Sequence, residues 1–262
     1  MPAITFPFEI KETILEILAE DDKGHLALKT CSLVCQAFLP MCRKHIFKNI
    51  ILNHHDPWHN AISPTGTSLA FERLLRESPE IADYIRKLDY TILIADLTSL
   101  IQESLKRISR LEFLSVRYHY LPGLDWSNNP IHPALLHLLR LPTFTHFKMV
   151  GINSFVVSDL IPCVNLEQLD ISICTTVSAE TTFHLALPER SIQLHKFVSG
   201  TQTSATIMKL CSARRSDGQP IIDFGSLSKI TVTLIDRNGG KALQEFFRRC
   251  HALTNAHILL CK

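Results

Sequence analysis

One spacing of apolar residues recurs along the chain from residue 47: apolar, two positions of any type, apolar, one position of any type, apolar. The last part of this spacing alternates with a period of two, which is typical of a short β-strand with one buried face. We therefore predict a strand at each copy: Phe47-Ile50-Leu52, Ile85-Leu88-Tyr90, Leu111-Leu114-Val116, Phe144-Phe147-Met149, Leu166-Leu169-Ile171, Leu194-Phe197-Ser199, Leu227-Ile230-Val232 and Leu253-Ala256-Ile258.

Between these copies, apolar residues recur at the three- and four-residue spacing of an amphipathic helix. Helices are predicted over residues 96–110, 132–141 and 240–251, and another begins at a Ser68 cap and ends at Ser78-Pro79. Strand and helix in alternation predict a curved parallel sheet. The repeat length varies but lies near that of a leucine-rich repeat, so residues 67–262 are interpreted as an irregular leucine-rich-repeat-like α/β solenoid. An ordinary layered α/β domain is the alternative.

The segments that join the predicted strands and helices also allow predictions. Cys174 and Cys261 follow two of the strands at the position where a buried cysteine turns the chain away from a leucine-rich strand. Residues 48–66 are predicted to hold the first strand and a connecting loop, and residues 214–218 an exposed loop. The last strand ends directly before Lys262, so we expect it to be covered in another way or the sequence to be a fragment.

The first 47 residues show a different, purely helical pattern. Pro7 suits the first turn of a helix, and one apolar stripe then follows at residues 10, 14, 17 and 18, widened by Leu15. The polar residues 21–24 end this helix, a second helix starts near Leu26, and a third stretch runs from Leu33 with a bend or restart at Pro40. Three short helices with apolar residues on several faces need cover from the rest of the chain or from a partner.

The order of residues in this segment resembles an F-box. The resemblance is carried by Phe6-Pro7-Phe8-Glu9-Ile10, Ile14-Leu15-Glu16-Ile17-Leu18, Cys31-Ser32-Leu33-Val34-Cys35 and Phe38-Leu39-Pro40. The sequence is similar to that of fungal F-box-like proteins, and this similarity extends in detail over residues 5–92. The chain departs from the family pattern at Phe6, where leucine is common, at Phe38, where tryptophan is common, and at Gln36, where a basic residue is common.

The resemblance implies a function in which the chain carries out no reaction itself. It would be the substrate-recognition adaptor of a cullin-RING (SCF-type) ubiquitin ligase, with a Skp-type adaptor linking residues 1–47 to a cullin scaffold. The residues expected to form or support the adaptor surface are Pro7, Ile10, Leu15, Leu18, Leu33, Val34 and Phe38. An unknown protein substrate would face the outward side chains of the strands: Glu112, Ser115, Lys148, Glu167, Gln168, Asp170, Lys229 and Thr231.

Two alternatives to this function stay open. In the first, the N-terminal helices are only a cap, and the chain is a leucine-rich-repeat-like interaction scaffold with no ubiquitin role. In the second, the chain is an enzyme, which would need His, Asp and Cys side chains converging in one cleft.

Composition and charge narrow the classes of function. The net charge is +2 without a long basic run, so charge gives no argument for nucleic acid or a membrane surface as a partner. Eight scattered cysteines among apolar neighbours fit reduced, buried thiols. With no secretory leader pattern, the sequence predicts a cytoplasmic or nuclear protein.

Motifs for catalysis or cofactor binding are missing from the sequence. We therefore predict no catalytic, cofactor or metal site. The nearest candidates are His54, His55 and His59 with Asp56, the cysteines at 31, 35 and 42 with His45, and the acidic pair Glu167 and Asp170. The simpler interpretations are a solvated loop for the histidines and Asp56, core packing for the cysteines and His45, and outward-facing solvated carboxylates for the acidic pair.

Overall fold

A computed structural model describes residues 7–20, 24–34, 36–53, 67–98, 100–118, 123–177, 190–201, 204–234 and 239–260. Its helices are α1 (Phe8–Glu20), α2 (Gly24–Val34), α3 (Leu39–Ile46), α4 (Ser68–Glu77), α5 (Ile101–Leu105), α6 (His132–Leu139), α7 (Ser204–Ser212) and α8 (Gly239–Phe247). Short 3₁₀ helices occupy Pro79–Asp83, Ile94–Thr98 and Val157–Leu160.

Eight strands form one sheet in which every strand is parallel to its neighbours. They are β1 (Asn49–Leu52), β2 (Lys87–Thr91), β3 (Phe113–Arg117), β5 (His146–Val150), β8 (Gln168–Ser172), β11 (Lys196–Ser199), β13 (Lys229–Leu234) and β14 (Asn255–Leu260). They stand side by side in the order of the sequence. Three two-stranded sheets pair β4 (Leu124–Asp125) with β6 (Ile152–Asn153), β7 (Phe155–Val156) with β9 (Thr176–Val177) and β10 (Ile192–Gln193) with β12 (Ile222–Asp223).

Each predicted strand copy is thus part of the main sheet, and the predicted α/β class with a large parallel sheet is confirmed. The alternation of side chains explains why. Residues in register, such as Leu114, Phe147 and Leu169, point to one face and are fully buried. Leu75, Leu138 and other helix residues pack in the same hydrophobic core, so the helices cover this face of the sheet.

The predicted helix over residues 96–110 is wrong, because two shorter elements replace it, the 3₁₀ helix Ile94–Thr98 and α5. Asp96 fixes the start of the first of these elements. Its carboxylate folds back to accept hydrogen bonds from the Leu93 backbone N–H at 2.9 Å and from Asn53 Nδ2 at 2.8 Å. A carboxylate at the third helical position that bonds the backbone N–H of the residue before the helix caps the helix start, so the 3₁₀ helix begins at Ile94.

The Ser68 cap is also a wrong prediction. Thr67 caps α4 through its Oγ1, which accepts a hydrogen bond from the Ala70 backbone N–H at 3.2 Å. Ser68 lies in the first turn and is buried, with its Oγ accepting a hydrogen bond from Asn53 Nδ2 at 2.8 Å. The predicted end of this helix at Ser78-Pro79 is confirmed.

The three N-terminal helices have a small hydrophobic core of their own. It consists of Leu15, Leu28, Met41 and Cys42, and it is separate from the core under the sheet. Gly24 begins α2, and a Cβ there would lie 1.4 Å from the Leu18 carbonyl oxygen, so only glycine permits this close approach of the helices. Pro40 stands in the first turn of α3 and starts that helix.

Cys174 is buried directly after β8, and its Sγ donates to the Met149 carbonyl oxygen at 3.5 Å, as expected for a turning residue. Cys261 lies outside the described residues.

The segment at 214–218 was predicted to be an exposed loop, and Arg215 is the exception to this prediction, with only 7% exposure. Its guanidinium turns inward and donates to the Asp217 carboxylate at 2.5 Å.

Candidate functional site

The first candidate site is a set of exposed apolar side chains on α1 and α2, here termed the N-terminal apolar surface. Residues 10, 14 and 17 follow one face of α1, and residues 26 and 33 lie two turns apart on α2. Leu33 is 86% exposed, Val34 74% and Leu26 73%. The surface comprises Phe8, Ile10, Ile14, Ile17, Leu26, Leu33 and Val34, with Phe8 roughly half a turn around α1 from Ile10, Ile14 and Ile17.

The residues predicted for adaptor binding divide into two groups in the structure. Pro7, Ile10, Leu33 and Val34 are exposed. Leu15 is only 1% exposed and forms part of the small N-terminal core, against which Leu18 and Phe38 also pack. The residues of this second group can support the surface, but Leu15 cannot contact a partner directly.

Phe8, Ile14, Ile17 and Leu26 of the N-terminal apolar surface were missed as contact residues. The sequence does contain their signal, since Ile14 and Ile17 lie on the same predicted stripe as Ile10. An amphipathic pattern shows which residues share a face but not whether that face turns inward or outward. Here Ile10, Ile14 and Ile17 of the stripe turn outward, whereas Leu18 of the stripe packs against the small N-terminal core that contains Leu15.

The second candidate site is the face of the main sheet opposite the helices, here termed the open face. Across β2 to β13, one row in register is Lys87, Phe113, His146, Gln168, Lys196 and Lys229. The next row is Asp89, Ser115, Lys148, Asp170, Val198 and Thr231. Both rows alternate with the buried residues of the same strands, so they point away from the core.

Most of the residues predicted to face a substrate are accessible on or beside this face. Glu112, Glu167 and Lys229 are exposed, and Lys148, Gln168, Asp170 and Thr231 are half-buried. Ser115 was predicted wrongly as accessible, because its exposure is 0%. Its short side chain stands between the longer side chains of Asp89 and Lys148 on the two neighbouring strands.

Ion pairs cover part of the open face. Asp89 pairs with Arg117, Asp170 with Lys148 at 3.8 Å, and Glu112 with Arg86 at 3.7 Å. Burial raises the pKa of Asp170 although the lysines at 148 and 196 pull it down. Burial has the opposite effect on His146, because it lowers the pKa of an imidazole. The charged residues that act on His146 are Lys87, Glu112, Glu167 and Lys196.

The metal candidates find no support in the described part of the chain, where no group of three His, Cys, Asp or Glu side chains is placed to hold an ion. His54, His55, Asp56, His59 and Cys35 lie outside the described residues. Burial raises the pKa of the Cys42 thiol and lowers that of His45. A buried thiol with a raised pKa packs as a small apolar side chain rather than acting as a ligand.

The arrangement closest to an acid–base site was not foreseen in the sequence. Asp159 accepts a hydrogen bond from Trp126 Nε1 at 2.7 Å and lies 3.2 Å from His132 Nε2, and its negative charge acts on the nearby Cys163. However, Cys163 is buried, its pKa is raised by burial and its Sγ donates to the Leu139 carbonyl oxygen. Trp126 is fully buried, so these contacts fix the core and expose no nucleophile.

Comparison with known proteins gives no further identification. A scan against protein-family models finds no match for the chain, and a search of curated proteins finds none either. Within the part of the chain that the structure describes, none of the helices has the length and apolar character needed to cross a membrane.

Proposed function

We propose that the chain is the substrate-recognition adaptor of a cullin-RING (SCF-type) ubiquitin ligase. The N-terminal apolar surface docks a Skp-type adaptor, which links the chain to a cullin scaffold, and the open face holds a protein substrate. The observation that carries this proposal is the exposure of large apolar side chains on two short helices that have a small core. The F-box-like order of residues in the same segment supports it.

Exposed apolar side chains in this number favour docking over a purely structural cap. Burial of one leucine or isoleucine side chain contributes about 1.5–3 kcal/mol, so cover by a partner is strongly favourable. A cap would turn this surface toward the core of the sheet. Instead, the small N-terminal core is separate from the core under the sheet, and Leu33 and Val34 face solvent.

The sheet supports the second half of the proposal. Strands that follow one another side by side, with helices on one face, fit an irregular leucine-rich-repeat-like solenoid. Arg43 of α3 pairs with Glu80 at 2.9 Å, and α3 leads directly into β1, so the docking helices are tied to the sheet. The chain would then act by proximity, holding its substrate near a conjugating enzyme on other subunits.

This function fits a place in the cytoplasm or nucleus. The described cysteines at positions 31, 42, 163, 174, 211 and 250 are free thiols. Free buried thiols are typical of a reducing compartment, where ubiquitin ligases of this type work.

Replacing Leu33 and Val34 together by lysine is expected to weaken binding of a Skp-type adaptor at least thirtyfold. Loss of a central apolar contact in an interface costs about 2 kcal/mol or more, which corresponds to that factor. Folding should be retained, because both side chains are exposed and a cation is favourable at the C-terminal end of a helix. Binding is measured by isothermal titration, and folding by circular dichroism.

The matched control replaces Leu69 and Ile94 by lysine, since both are comparably exposed and lie outside the N-terminal helices. The control should bind the adaptor like the unchanged chain. Full binding by a well-folded Leu33→Lys, Val34→Lys variant would contradict the docking assignment. It would favour the leucine-rich-repeat-like interaction scaffold with no ubiquitin role.

A further inference from the structure

We propose that the open face binds an extended acidic segment of a protein, with Lys87 holding one end and the pair Lys196 and Lys229 the other. The inference rests on the proposed function only in identifying this segment as part of the substrate. Binding of the segment itself needs no Skp-type adaptor.

The lysine pair is the strongest feature of this face. Lys196 on β11 and Lys229 on β13 stand directly opposite each other in the register of the sheet, and both are exposed. Like charges in directly opposite positions repel each other and destabilise a sheet. Among the described residues, neither lysine forms an ion pair within 4 Å, so an anion from outside would relieve this repulsion.

Within the ranges that the structure describes, no carboxylate of this face forms an ion pair within 4 Å with either lysine of the pair. Lys196 lies near enough to Asp170 to pull the pKa of that carboxyl down. The Asp170 carboxylate is half-buried, however, and it already forms an ion pair with Lys148 at 3.8 Å. The carboxylates of Asp89 and Glu112 are taken by arginines. Glu167 lies directly before β8 and is close to Lys196, whose backbone N–H donates to the Glu167 carbonyl oxygen at 3.0 Å, but it is two strands away from Lys229.

The spacing of the lysines indicates the length of the ligand. Lys87 on β2 is exposed and lies four strand steps from Lys196, through β3, β5 and β8. At about 4.8 Å for each step, the two ends are about 19 Å apart, which an extended peptide spans with about six residues. The expected segment therefore has one acidic residue, about five further residues and then two acidic residues.

The middle of this row is suited to uncharged residues of the ligand. Phe113, His146 and Gln168 are half-buried between the lysines, and the Phe113 and His146 rings lie 6.5 Å apart between centroids. A pair of half-buried aromatic rings offers an apolar floor. We expect one apolar side chain of the segment to lie on it.

The test uses the full-length chain and a fluorescent eight-residue peptide with one aspartate, five neutral residues with leucine in the middle, and two aspartates. Fluorescence anisotropy without any adaptor should show saturable binding that weakens as salt is added. A peptide with asparagine in place of the aspartates should bind at least tenfold more weakly. Equal binding of the two peptides, or no binding by the folded chain, would overturn the inference.

Variants locate the site. Lys196→Gln with Lys229→Gln should weaken binding of the aspartate peptide about tenfold, the sum of two exposed ion pairs. The control Lys29→Gln with Lys106→Gln makes the same change in net charge on helix α2 and just after α5 and should bind within about twofold of the unchanged chain. A control variant that loses as much affinity as the test variant would overturn the assignment to this face, because net charge alone would then explain binding.

A third peptide carries phosphoserine in place of the paired aspartates. Tighter binding identifies phosphorylation as the source of the negative charge, and equal binding identifies acidic side chains; both agree with an anionic ligand. The two proposals fail separately. Peptide binding without adaptor binding would overturn the proposed ligase function alone, and adaptor binding without peptide binding would overturn the acidic-segment inference alone.

Discussion

Replacing Asn53 by alanine is expected to lower the free energy of unfolding by about 3–4 kcal/mol. The Asn53 side chain is buried, and its Nδ2, which has two hydrogens to donate, lies within hydrogen-bond distance of three acceptors: Ser68 Oγ at 2.8 Å, the Thr91 carbonyl oxygen at 3.0 Å and the Asp96 carboxylate at 2.8 Å. Its Oδ1 accepts a hydrogen bond from the Ser68 backbone N–H at 3.1 Å. Alanine would remove all these hydrogen bonds, although the Asp96 carboxylate would keep the bond from the Leu93 backbone N–H at 2.9 Å.

The backbone adds to this effect. Asn53 has a φ of 54°, in the left-handed region that asparagine tolerates better than alanine. The same network surrounds Tyr90, whose hydroxyl pKa is raised well above its usual value by burial and by the Asp96 carboxylate. Loss of Asn53 therefore disturbs the join between β1, α4 and β2.

Urea unfolding followed by circular dichroism measures this loss, and Asn49→Ala on β1, the strand that Asn53 directly follows, is the control. Asn49 is exposed, so its replacement should change the free energy of unfolding by less than about 0.5 kcal/mol. An Asn53→Ala variant as stable as the control would show that the network does not stabilise the fold.

Asn53→Asp tests the same network through pH. Two carboxylates would then share the site, so the pKa of one would be raised in the folded state above its unfolded value of about 3.9. A raised pKa stabilises the folded state below the unfolded pKa, and this contribution is lost as pH rises. The loss in free energy of unfolding, relative to the unchanged chain, should therefore be larger at pH 7 than at pH 4.5.

The second large effect is expected for Phe147→Ala, which should lower the free energy of unfolding by about 3–5 kcal/mol. Phe147 on β5 is 1% exposed and stands in the middle of the sheet. Its ring lies 6.1 Å from those of Phe144 and Phe155 and 6.3 Å from that of Trp126, between centroids. A cavity here removes contacts to several elements at once.

Phe113→Ala is the matched control, because Phe113 lies on the neighbouring strand β3 but on the open face and is half-buried. Phe113→Ala should lower the free energy of unfolding by clearly less than Phe147→Ala does in the same urea titration. Equal losses for both variants would contradict the assignment of an inner and an open face to the sheet.

The strands could be predicted from the sequence because their pattern is local. A period of two with large apolar residues at the inward positions, as at Leu114 and Val116, specifies a strand and its buried face together. The order of strands in the sheet follows when each is joined to the next by a helix or a short connection. Helices α6 and α8 agree with prediction apart from their ends.

The polar networks could not be predicted in this way. Asn53 stands at the end of a strand, and its partner Asp96 is 43 residues further along the chain. Nothing local distinguishes these two from surface residues, so the sequence suggested a loop at the first and a continuous helix at the second. The same holds for Asp159, which joins Trp126 and His132 from distant segments.

The candidate sites show the same division. The apolar character of α1 and α2 was evident, but whether Leu15 or Ile14 faces solvent depends on how the helices pack. On the sheet, the outward row could be predicted, whereas the burial of Ser115 depends on the longer side chains beside it. Periodicity defines faces, and packing decides which residues on them remain accessible.

The central claim is that the N-terminal apolar surface docks a Skp-type adaptor, and its most direct test is an isothermal titration of the full-length chain with a purified fungal Skp-type adaptor at several temperatures. We predict a 1:1 complex with a negative heat-capacity change, since large apolar side chains such as Leu26, Leu33 and Val34 leave water on binding. Absence of binding by a chain shown to be folded would contradict the claim and leave the N-terminal helices as a structural cap.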